Sequence, residues 1–242
     1  MILHIPHSSL NIPKNSVLHN NIELTRDIII KHTDIFTDYL YKPKNKSIRR
    51  KIFPHNRFYC DVERLENDPL EKDGTGIFYT NVPVTGEFLR DNILDDLERT
   101  TVYKYWHYWR ETMFLDFQRE LATKKRVYFI DCHSFSSFQA QIPESELPDI
   151  CIGFNNNTSQ ELINTVTNYF NDKGYQISQN YPFSNSFTLE YSQYPKDNPM
   201  CDSIMIEINK RLYLDDEIIT ENFGTLHRDI NSLLETLYTH EI

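Results

Sequence analysis

Short apolar runs recur along the chain, and each ends next to polar or turn-forming residues. They cover residues 2–6, 58–62, 127–130, 150–154 and 204–208. Apolar runs of this length, bounded by turn signals, are typical of buried strands. We therefore predict a strand at each of these five places.

Between the runs, apolar residues recur every three or four positions, which is the spacing of one face of a helix. One such stripe comprises Trp106, Trp109, Met113, Phe117 and Leu121, and another comprises Phe223, Leu226, Ile230, Leu233 and Leu237. We predict a helix at each stripe and a third helix over residues 22–40. The stripes are interpreted as core-facing helix surfaces.

Alternation of strands and helices predicts the α/β class: a three-layer αβα arrangement around a central mixed, mostly parallel sheet. The length of 242 residues suits one such domain, spanning residues 1–242. In these sheets ligands bind outside the carboxyl ends of the strands. His7 follows the first predicted strand, Asp131 and His133 follow the run at 127–130, and Glu207 lies near the end of a late strand.

Composition excludes several classes of function. Asp and Glu number 35 against 25 Lys and Arg, a net charge of −10, which argues against a nucleic-acid partner. No apolar stretch approaches the roughly 20 residues of a membrane span, and the N-terminus has no signal-peptide pattern, so we expect a cytoplasmic protein. The four cysteines form no C-x-x-C pair, and the six glycines form no phosphate-binding loop.

Residues 67–87 contain five Pro and Gly positions and predict a long irregular loop: Pro69, Gly74, Gly76, Pro83 and Gly86. Loops of this length are often functional. The sequence leaves open whether this one closes over a substrate.

Two histidines at the ends of different predicted strands, His7 and His133, are placed to converge on a metal ion. Catalytic zinc takes three protein ligands from His and carboxylate side chains and keeps a fourth position for water. A histidine at a strand end can also serve only as a hydrogen-bonding residue. The second histidine and the acids nearby favour the metal.

Five segments of the chain together resemble the successive motifs of the N-formylglutamate amidohydrolase family. In order they read I-P-H-S-S, H-T-D-I-F-T-D-Y-L, N-R-F-Y-C-D-V-E-R, I-D-C-H-S-F and I-E-I-N-K-R-L-Y. Each segment alone is weak, but their order over nearly the whole chain is specific for the family. The family is similar in fold to the zinc carboxypeptidases, and the resemblance implies one zinc ion as cofactor.

The resemblance implies His7 and His133 as zinc ligands. The carboxypeptidase pattern has a glutamate three residues after its first histidine, but Leu10 stands there in this chain. We assign the carboxylate ligand to Asp34, with Asp38 one helical turn later as its rival. Asp34 could instead be a carboxylate partner of a ligand.

Glu207 is the predicted general base. It interrupts an apolar strand, and burial of a carboxylate is costly unless it is paired or near a cation. A base there would deprotonate the zinc-bound water and pass the proton to the leaving amine. The alternative is an internal ion pair with Arg57 or Arg64.

Arg57 and Arg64 are the predicted contacts for an acidic substrate, because a guanidinium binds a carboxylate through two parallel hydrogen bonds. Arg57 could instead polarise the amide carbonyl, and both arginines could simply be surface charges on a strand. We also assign Ser134, beside His133, to substrate binding. His107, which matches a histidine of the family, is assigned a catalytic role, with a hydrogen-bonded histidine in an aromatic cluster as the alternative.

The predicted function is metal-dependent hydrolysis of the amide bond of an N-acyl amino acid, such as N-formyl-L-glutamate. Residues 182–187 replace the Gly-Gly-containing substrate loop of typical family members, which leaves the substrate open. The alternatives are a zinc peptidase or cell-wall peptide amidase on the same scaffold, and a binding protein that has lost the metal. The expected partner is a small acidic amide, and the sequence does not predict an oligomeric state.

Overall fold

A computed structural model describes residues 1–21, 24–91, 93–124, 126–156, 158–187 and 201–240. The chain divides into two compact structural units. The unit that we call the sheet unit comprises Met1–Ile5, Phe36–Lys51 and Phe114–Ile242. The other, the loop unit, comprises Pro6–Ile35 and Ile52–Met113.

The sheet unit is built on a sheet that has six strands within the described residues. They are β1 (Ile2–Ile5), β2 (Arg49–Ile52), β3 (Val127–Phe135), β4 (Ile150–Gly153), β5 (Ile177–Gln179) and β6 (Cys201–Asn209), in the spatial order β2-β1-β3-β6-β4-β5. Strand β3 is parallel to β1 and to β6, and β5 is parallel to β4, whereas β4 is antiparallel to β6. The predicted α/β class with a mixed, mostly parallel sheet is confirmed.

Strands β3 and β6 form the centre of this sheet. They pair in parallel over their whole length, from Val127 opposite Cys201 to Phe135 opposite Asn209. Every residue of β3 is buried, as is every residue of β6 after Cys201. Both strands extend beyond the predicted apolar runs, because their polar residues are buried together with the apolar ones.

The helices are α1 (Arg26–Lys31), α2 (Thr37–Leu40), α3 (Asp96–Leu121), α4 (Ser137–Ala140), α5 (Gln160–Asp172) and α6 (Phe223–His240). Helices α3 and α6 contain the two predicted apolar stripes, and the stripe residues are buried except Leu121 and Phe223, which are half-buried. Short 3-10 helices cover Val17–Asn20, Pro69–Asp73, Glu144–Glu146 and Lys210–Leu212, and a small hairpin pairs β7 (Leu214–Asp215) with β8 (Ile218–Ile219). Among the described residues, none of the helices is both long and apolar enough to cross a bilayer.

The predicted single helix over residues 22–40 is wrong: within the described part of that range the chain forms α1 and α2. Residues 22–23, where the prediction begins, lie outside the described residues. Thr25 caps α1, which ends at Lys31. The break before α2 includes Phe36, whose φ of 65° is left-handed and incompatible with a continuous helix.

The predicted strand at residues 58–62 is also wrong, because these residues form a buried turn. The backbone N–H groups of Tyr59 and Cys60 donate to the Asn56 carbonyl at 3.0 and 3.3 Å. The Asn56 side chain accepts from the Phe58 N–H at 3.0 Å. An apolar run reports burial, and burial alone does not distinguish a strand from a packed turn.

Residues 67–87 form the predicted irregular loop, which is tightly packed in its second half, where Ile77 and Tyr79 are fully buried. Gly74 has a φ of 78°, and a Cβ atom at this position would lie 2.5 Å from the Asn81 side-chain oxygen. A glycine is therefore needed at this turn.

Candidate functional site

In the loop unit, Asp61 is a fully buried carboxylate that accepts four hydrogen bonds from described residues. Its Oδ1 accepts from His7 Nε2 at 2.9 Å and from the Glu63 N–H at 3.1 Å. Its Oδ2 accepts from Arg57 Nη2 at 2.9 Å and from the Tyr79 hydroxyl at 2.6 Å. These bonds replace the hydration that an ionised carboxylate loses on burial. We call these five residues the Asp61 cluster.

The turn at Asn56 brings the segments of this cluster together. The Asn56 side-chain amide donates to the Ser9 carbonyl at 2.9 Å and to the Thr33 hydroxyl at 2.8 Å. The Asp61 N–H donates to the Ile77 carbonyl at 3.0 Å. One buried amide therefore links the segments that carry His7 and the predicted ligand Asp34 to the segment that carries Asp61.

His7 lies beside two further carboxylates. Its Nδ1 is 3.8 Å from Asp34 Oδ2 and 3.9 Å from Glu63 Oε2. The Asp34 N–H donates to the His7 carbonyl at 2.9 Å, which fixes the two backbones relative to each other. Both His7 and Asp34 are buried, and one imidazole nitrogen with two carboxylate oxygens is a set of donors that zinc binds.

Asp38, the predicted rival of Asp34, belongs to the sheet unit, in α2. Its backbone carbonyl accepts a hydrogen bond from Arg50. Partial burial raises the pKa of Asp38, although the nearby Arg50 charge opposes the shift.

Charges within the Asp61 cluster stabilise one another. Burial alone would raise the pKa of Asp61, but the neighbouring His7 and Arg57 side chains hold it well below its usual range. Burial alone would lower the pKa of Arg57, but the neighbouring Asp61 carboxylate holds it well above its usual value. Burial raises the pKa of Tyr79. At neutral pH the cluster therefore contains an ionised carboxylate, a charged guanidinium and a protonated phenol.

Arg64 and His107 are less enclosed than the Asp61 cluster. Arg64 Nε lies 3.8 Å from Asp61 Oδ2, and its side chain is 27% exposed, against 17% for Arg57. The Arg64 carbonyl accepts from the Trp106 indole N–H at 2.8 Å. His107 is 61% exposed and lies 3.5 Å from Glu66, so the structure does not place it in the cluster.

In the sheet unit, Asp131 on β3 is a second buried carboxylate shared by two imidazoles. Its Oδ1 lies 3.0 Å from His4 Nδ1 and 3.2 Å from His133 Nε2. Its Oδ2 accepts from the Phe187 N–H at 3.0 Å. Burial alone would raise the pKa of Asp131, but His133 and His4 keep it far below its usual range. His133 therefore has a carboxylate, Asp131, at hydrogen-bonding distance.

Glu207 is the residue of β6 that pairs with His133 on β3 and with Cys151 on β4. Residues directly paired in a sheet present their side chains on the same face, so Glu207 and His133 share a face, and Glu207 is buried. Ser134 follows His133 in the strand and pairs with Ile208. By the alternation of a strand, Ser134 lies on the opposite face from His133.

Four residues of these clusters had no role in the sequence prediction: Asp61, Glu63, Tyr79 and His4. Asp61 stood in the predicted strand at residues 58–62, Glu63 stood directly after it, and Tyr79 stood in a predicted loop. His4 and Asp61 carried a readable signal. Each is an ionisable residue within a predicted apolar strand, the same feature that identified Glu207.

Comparison with known proteins identifies the family of this chain. The family model described as N-formylglutamate amidohydrolase matches residues 1–214. The fold is similar to the crystal structure of N-formylglutamate amidohydrolase from Ralstonia eutropha JMP134, with a TM-score of 0.76 and 19% identity over 99% of this chain and 93% of that chain. It is also similar to the gene product Atu2144 from Agrobacterium tumefaciens, with a TM-score of 0.63 and 17% identity over 98% of this chain and 89% of that one.

No curated protein sequence matches the chain significantly. The two structural similarities, at identities below 20%, show the fold. The family match is the stronger finding, because it covers residues 1–214 of 242 and confirms the resemblance carried by the sequence motifs. This protein belongs to the N-formylglutamate amidohydrolase family, a family of hydrolases.

Proposed function

We propose that this protein hydrolyses the amide bond of an N-formyl amino acid, with N-formyl-L-glutamate as the leading substrate. Membership of an amidohydrolase family supports the reaction class. The observation that carries the proposal is the position of His7 Nδ1, which lies 3.8 and 3.9 Å from the Asp34 and Glu63 carboxylates in a buried part of the loop unit. The reaction would release formate and the free amino acid.

The distances around His7 suit a zinc ion. Ligands bound to tetrahedral zinc at about 2.1 Å lie about 3.4 Å from one another. The observed separations of 3.8 and 3.9 Å are closer to that value than to a direct hydrogen bond of about 2.7–3.2 Å. We therefore propose His7 and a carboxylate, Asp34 or Glu63, as zinc ligands. His133 is proposed as a further ligand on the strength of the sequence resemblance.

When bound, zinc would polarise the amide carbonyl and lower the pKa of a water molecule. The proposed task of Glu207 is to accept a proton from the attacking water as its oxygen bonds to the formyl carbon. Glu207 then gives that proton to the amine nitrogen as the C–N bond breaks. This role is supported by the position of Glu207, which is buried in β6 and directly paired with His133.

Arg64 is the better candidate to bind a carboxylate of the substrate. Arg57 already donates to Asp61 at 2.9 Å, whereas Arg64 lies at 3.8 Å from that carboxylate and is the more exposed of the two. The assignments of Ser134 to substrate binding and of His107 to catalysis stay predictions. The strand alternation at Ser134 and the 61% exposure of His107 give them no support.

The decisive experiment is a product assay with zinc-loaded protein. We expect formate and glutamate from N-formyl-L-glutamate, and loss of this activity when a chelator removes the metal. Release of amino acids from small or cell-wall peptides, without formate release from N-formyl amino acids, would identify a zinc peptidase or peptide amidase instead. A protein with neither activity nor bound metal would contradict the proposal and indicate a binding protein.

A further inference from the structure

We propose that Asp61 is the positioning residue of the metal site: it holds His7 in the tautomer and orientation that bind the ion, and Tyr79 and Arg57 hold Asp61. This inference rests on the proposed function, because it takes His7 as a metal ligand. It deepens that function by assigning a task to residues that do not touch the substrate.

The hydrogen bond between His7 and Asp61 selects the tautomer of His7. An ionised carboxylate can only accept hydrogen bonds, so His7 donates to Asp61 Oδ1 from Nε2 at 2.9 Å. A neutral imidazole with its proton on Nε2 presents a lone pair on Nδ1. Nδ1 is the nitrogen that faces the Asp34 and Glu63 carboxylates. The other tautomer would place two lone pairs against each other at Asp61 and a proton where the metal should bind.

Asp61 also holds the backbone of Glu63. The oxygen that accepts from His7 also accepts from the Glu63 backbone N–H at 3.1 Å. One atom, Asp61 Oδ1, therefore fixes both the ring that binds the metal and the backbone of a neighbouring candidate ligand. Displacement of this atom would move both donors together.

The hydrogen bonds of Asp61 leave its oxygens without an acceptor position for the metal. A carboxylate has about four acceptor positions. Oδ1 is bonded to His7 and Glu63, and Oδ2 is bonded to Arg57 at 2.9 Å and to Tyr79 at 2.6 Å. All four positions are therefore used. Tyr79 is fully buried, so its hydroxyl cannot exchange Asp61 for water.

Asp61→Asn tests this geometry with almost no change of shape. The Asn side chain has one accepting and one donating end, so it cannot accept from His7 and Glu63 on one side and from Arg57 and Tyr79 on the other. We expect the zinc dissociation constant to rise about 10–100-fold, the usual effect of losing a carboxylate behind a ligating histidine. Tyr79→Phe removes one of the four bonds and should raise it about two- to tenfold.

Asp116→Asn is the matched control. Asp116 is also buried, and it belongs to the sheet unit, where it lies 3.0 Å from both Lys51 and Arg119. The same carboxylate-to-amide change there should leave the zinc dissociation constant unchanged. Chelator competition measures zinc affinity, and nitrogen NMR of the zinc-free protein reports the His7 tautomer. If Asp61 were only structural, Asp61→Asn would leave that tautomer unchanged.

The outcomes separate this inference from the proposed function. A folded Asp61→Asn variant that keeps the parental zinc affinity, while His7→Ala loses it, would overturn the positioning role and leave the proposed function standing. If the parent protein binds no zinc, the proposed function fails, and the inference fails with it. If Asp61→Asn does not fold, Tyr79→Phe decides, and parental affinity in that variant overturns the inference.

Discussion

At His7 and at His133 the Nε2 atom of the ring faces a buried carboxylate, Asp61 in one case and Asp131 in the other. In each case the distance is that of a hydrogen bond, 2.9 and 3.2 Å. Pairing of this kind orients an imidazole and increases the basicity of its other nitrogen. The two histidines that the sequence predicts as metal ligands therefore have the environment that ligating histidines need.

Replacement of His7 or His133 by Ala is expected to abolish tight zinc binding, because a site with three protein ligands loses one of them. The variants should fold, since neither side chain supplies the apolar core. Zinc content after dialysis against a weak chelator, with a melting curve for each variant, is the measurement. His107→Ala, at an exposed position, is the control that should keep its zinc. Stoichiometric zinc in the His7 and His133 double variant would disprove the assignment.

Glu207→Gln is expected to keep the zinc and to lower turnover by about two to four orders of magnitude, because the shape is preserved while the general base is lost. Steady-state kinetics with N-formyl-L-glutamate, together with zinc content, measures both effects. Glu146→Gln, at an exposed position, should match the parent. Loss of zinc together with activity would instead make Glu207 a ligand.

Arg64→Lys is expected to raise KM and leave kcat nearly unchanged, because an arginine that anchors a carboxylate contacts ground state and transition state alike. Loss of a charge-assisted hydrogen bond of about 1.5–3 kcal/mol corresponds to roughly ten- to 150-fold in kcat/KM. Arg57→Lys should lower kcat or zinc affinity instead, because Arg57 donates to Asp61. Parental kinetics in both folded variants would remove the support for an acidic substrate.

The sequence could predict His7, His133 and Glu207 as candidates because each is an ionisable residue at or within a buried strand, which is a costly placement. Glu63 and Tyr79 could not be assigned in this way, and Asp61 stood in a predicted strand that does not form. They lie in turns and loops, where polar residues are ordinary and their contacts depend on the fold of the chain. Their roles became visible only when the structure brought residues 7, 61 and 79 together.

At the scale of elements, the apolar pattern predicted strands where the whole strand is buried and failed where burial has another cause. It located β1, β3, β4 and β6, and it missed β2 and β5, whose residues are only partly buried or exposed. It predicted a strand at residues 58–62, where a turn held by Asn56 is packed in the interior. The spacing of apolar residues along the sequence does not distinguish such a buried turn from a strand.

Arg90 stabilises this irregular part of the loop unit. It is 2% exposed, and it donates to the Tyr79 carbonyl, to Glu98 and to the carbonyls of Phe58 and Tyr59, each at 2.9 Å. Buried turns have few regular backbone–backbone hydrogen bonds. One guanidinium therefore donates to several of their carbonyls.

Arg90→Met is therefore expected to destabilise the protein by about 3–5 kcal/mol, because it removes the charged partner of Glu98 and a hydrogen-bond donor from three carbonyls. For a chain of this size the melting temperature should fall by about 6–20 °C. Thermal unfolding measures the effect. Arg99→Met, at a position 41% exposed and paired with the exposed Asp96, should change stability by less than about 0.5 kcal/mol. Equal melting temperatures for the two variants would contradict this role.

At the scale of the whole molecule, the family match and the α/β fold agree with a hydrolase of small-molecule amides. The net charge of −10 would repel the acidic substrate that we propose, so its binding would require a local positive group such as Arg64. The motifs could predict the family because they are spread along most of the chain. The predicted single domain and cytoplasmic location stay predictions.

The stability of both structural units depends on pH in the acidic range. The loop unit contains Asp61 and the sheet unit contains Asp131, and the pKa of each carboxylate is strongly lowered. An unfolded Asp titrates near pKa 3.9, so below that pH the unfolded chain binds protons that the folded protein does not yet bind. The stability that these groups contribute is thus fully present well above about pH 4 and is lost as the pH falls toward their folded pKa values.

We expect the zinc-free protein to lose about 2 kcal/mol or more per carboxylate between pH 5 and strongly acidic pH. Urea unfolding at a series of pH values from 7 down to about 2 measures this loss. Asp61→Asn should be less stable at pH 7 and show a shallower decline, because an amide has no proton to gain. Parallel pH curves for the parent and this variant would mean that Asp61 titrates at the same pH in the folded and unfolded states. In that case its hydrogen bonds to His7, Arg57 and Tyr79 would not stabilise the ionised carboxylate.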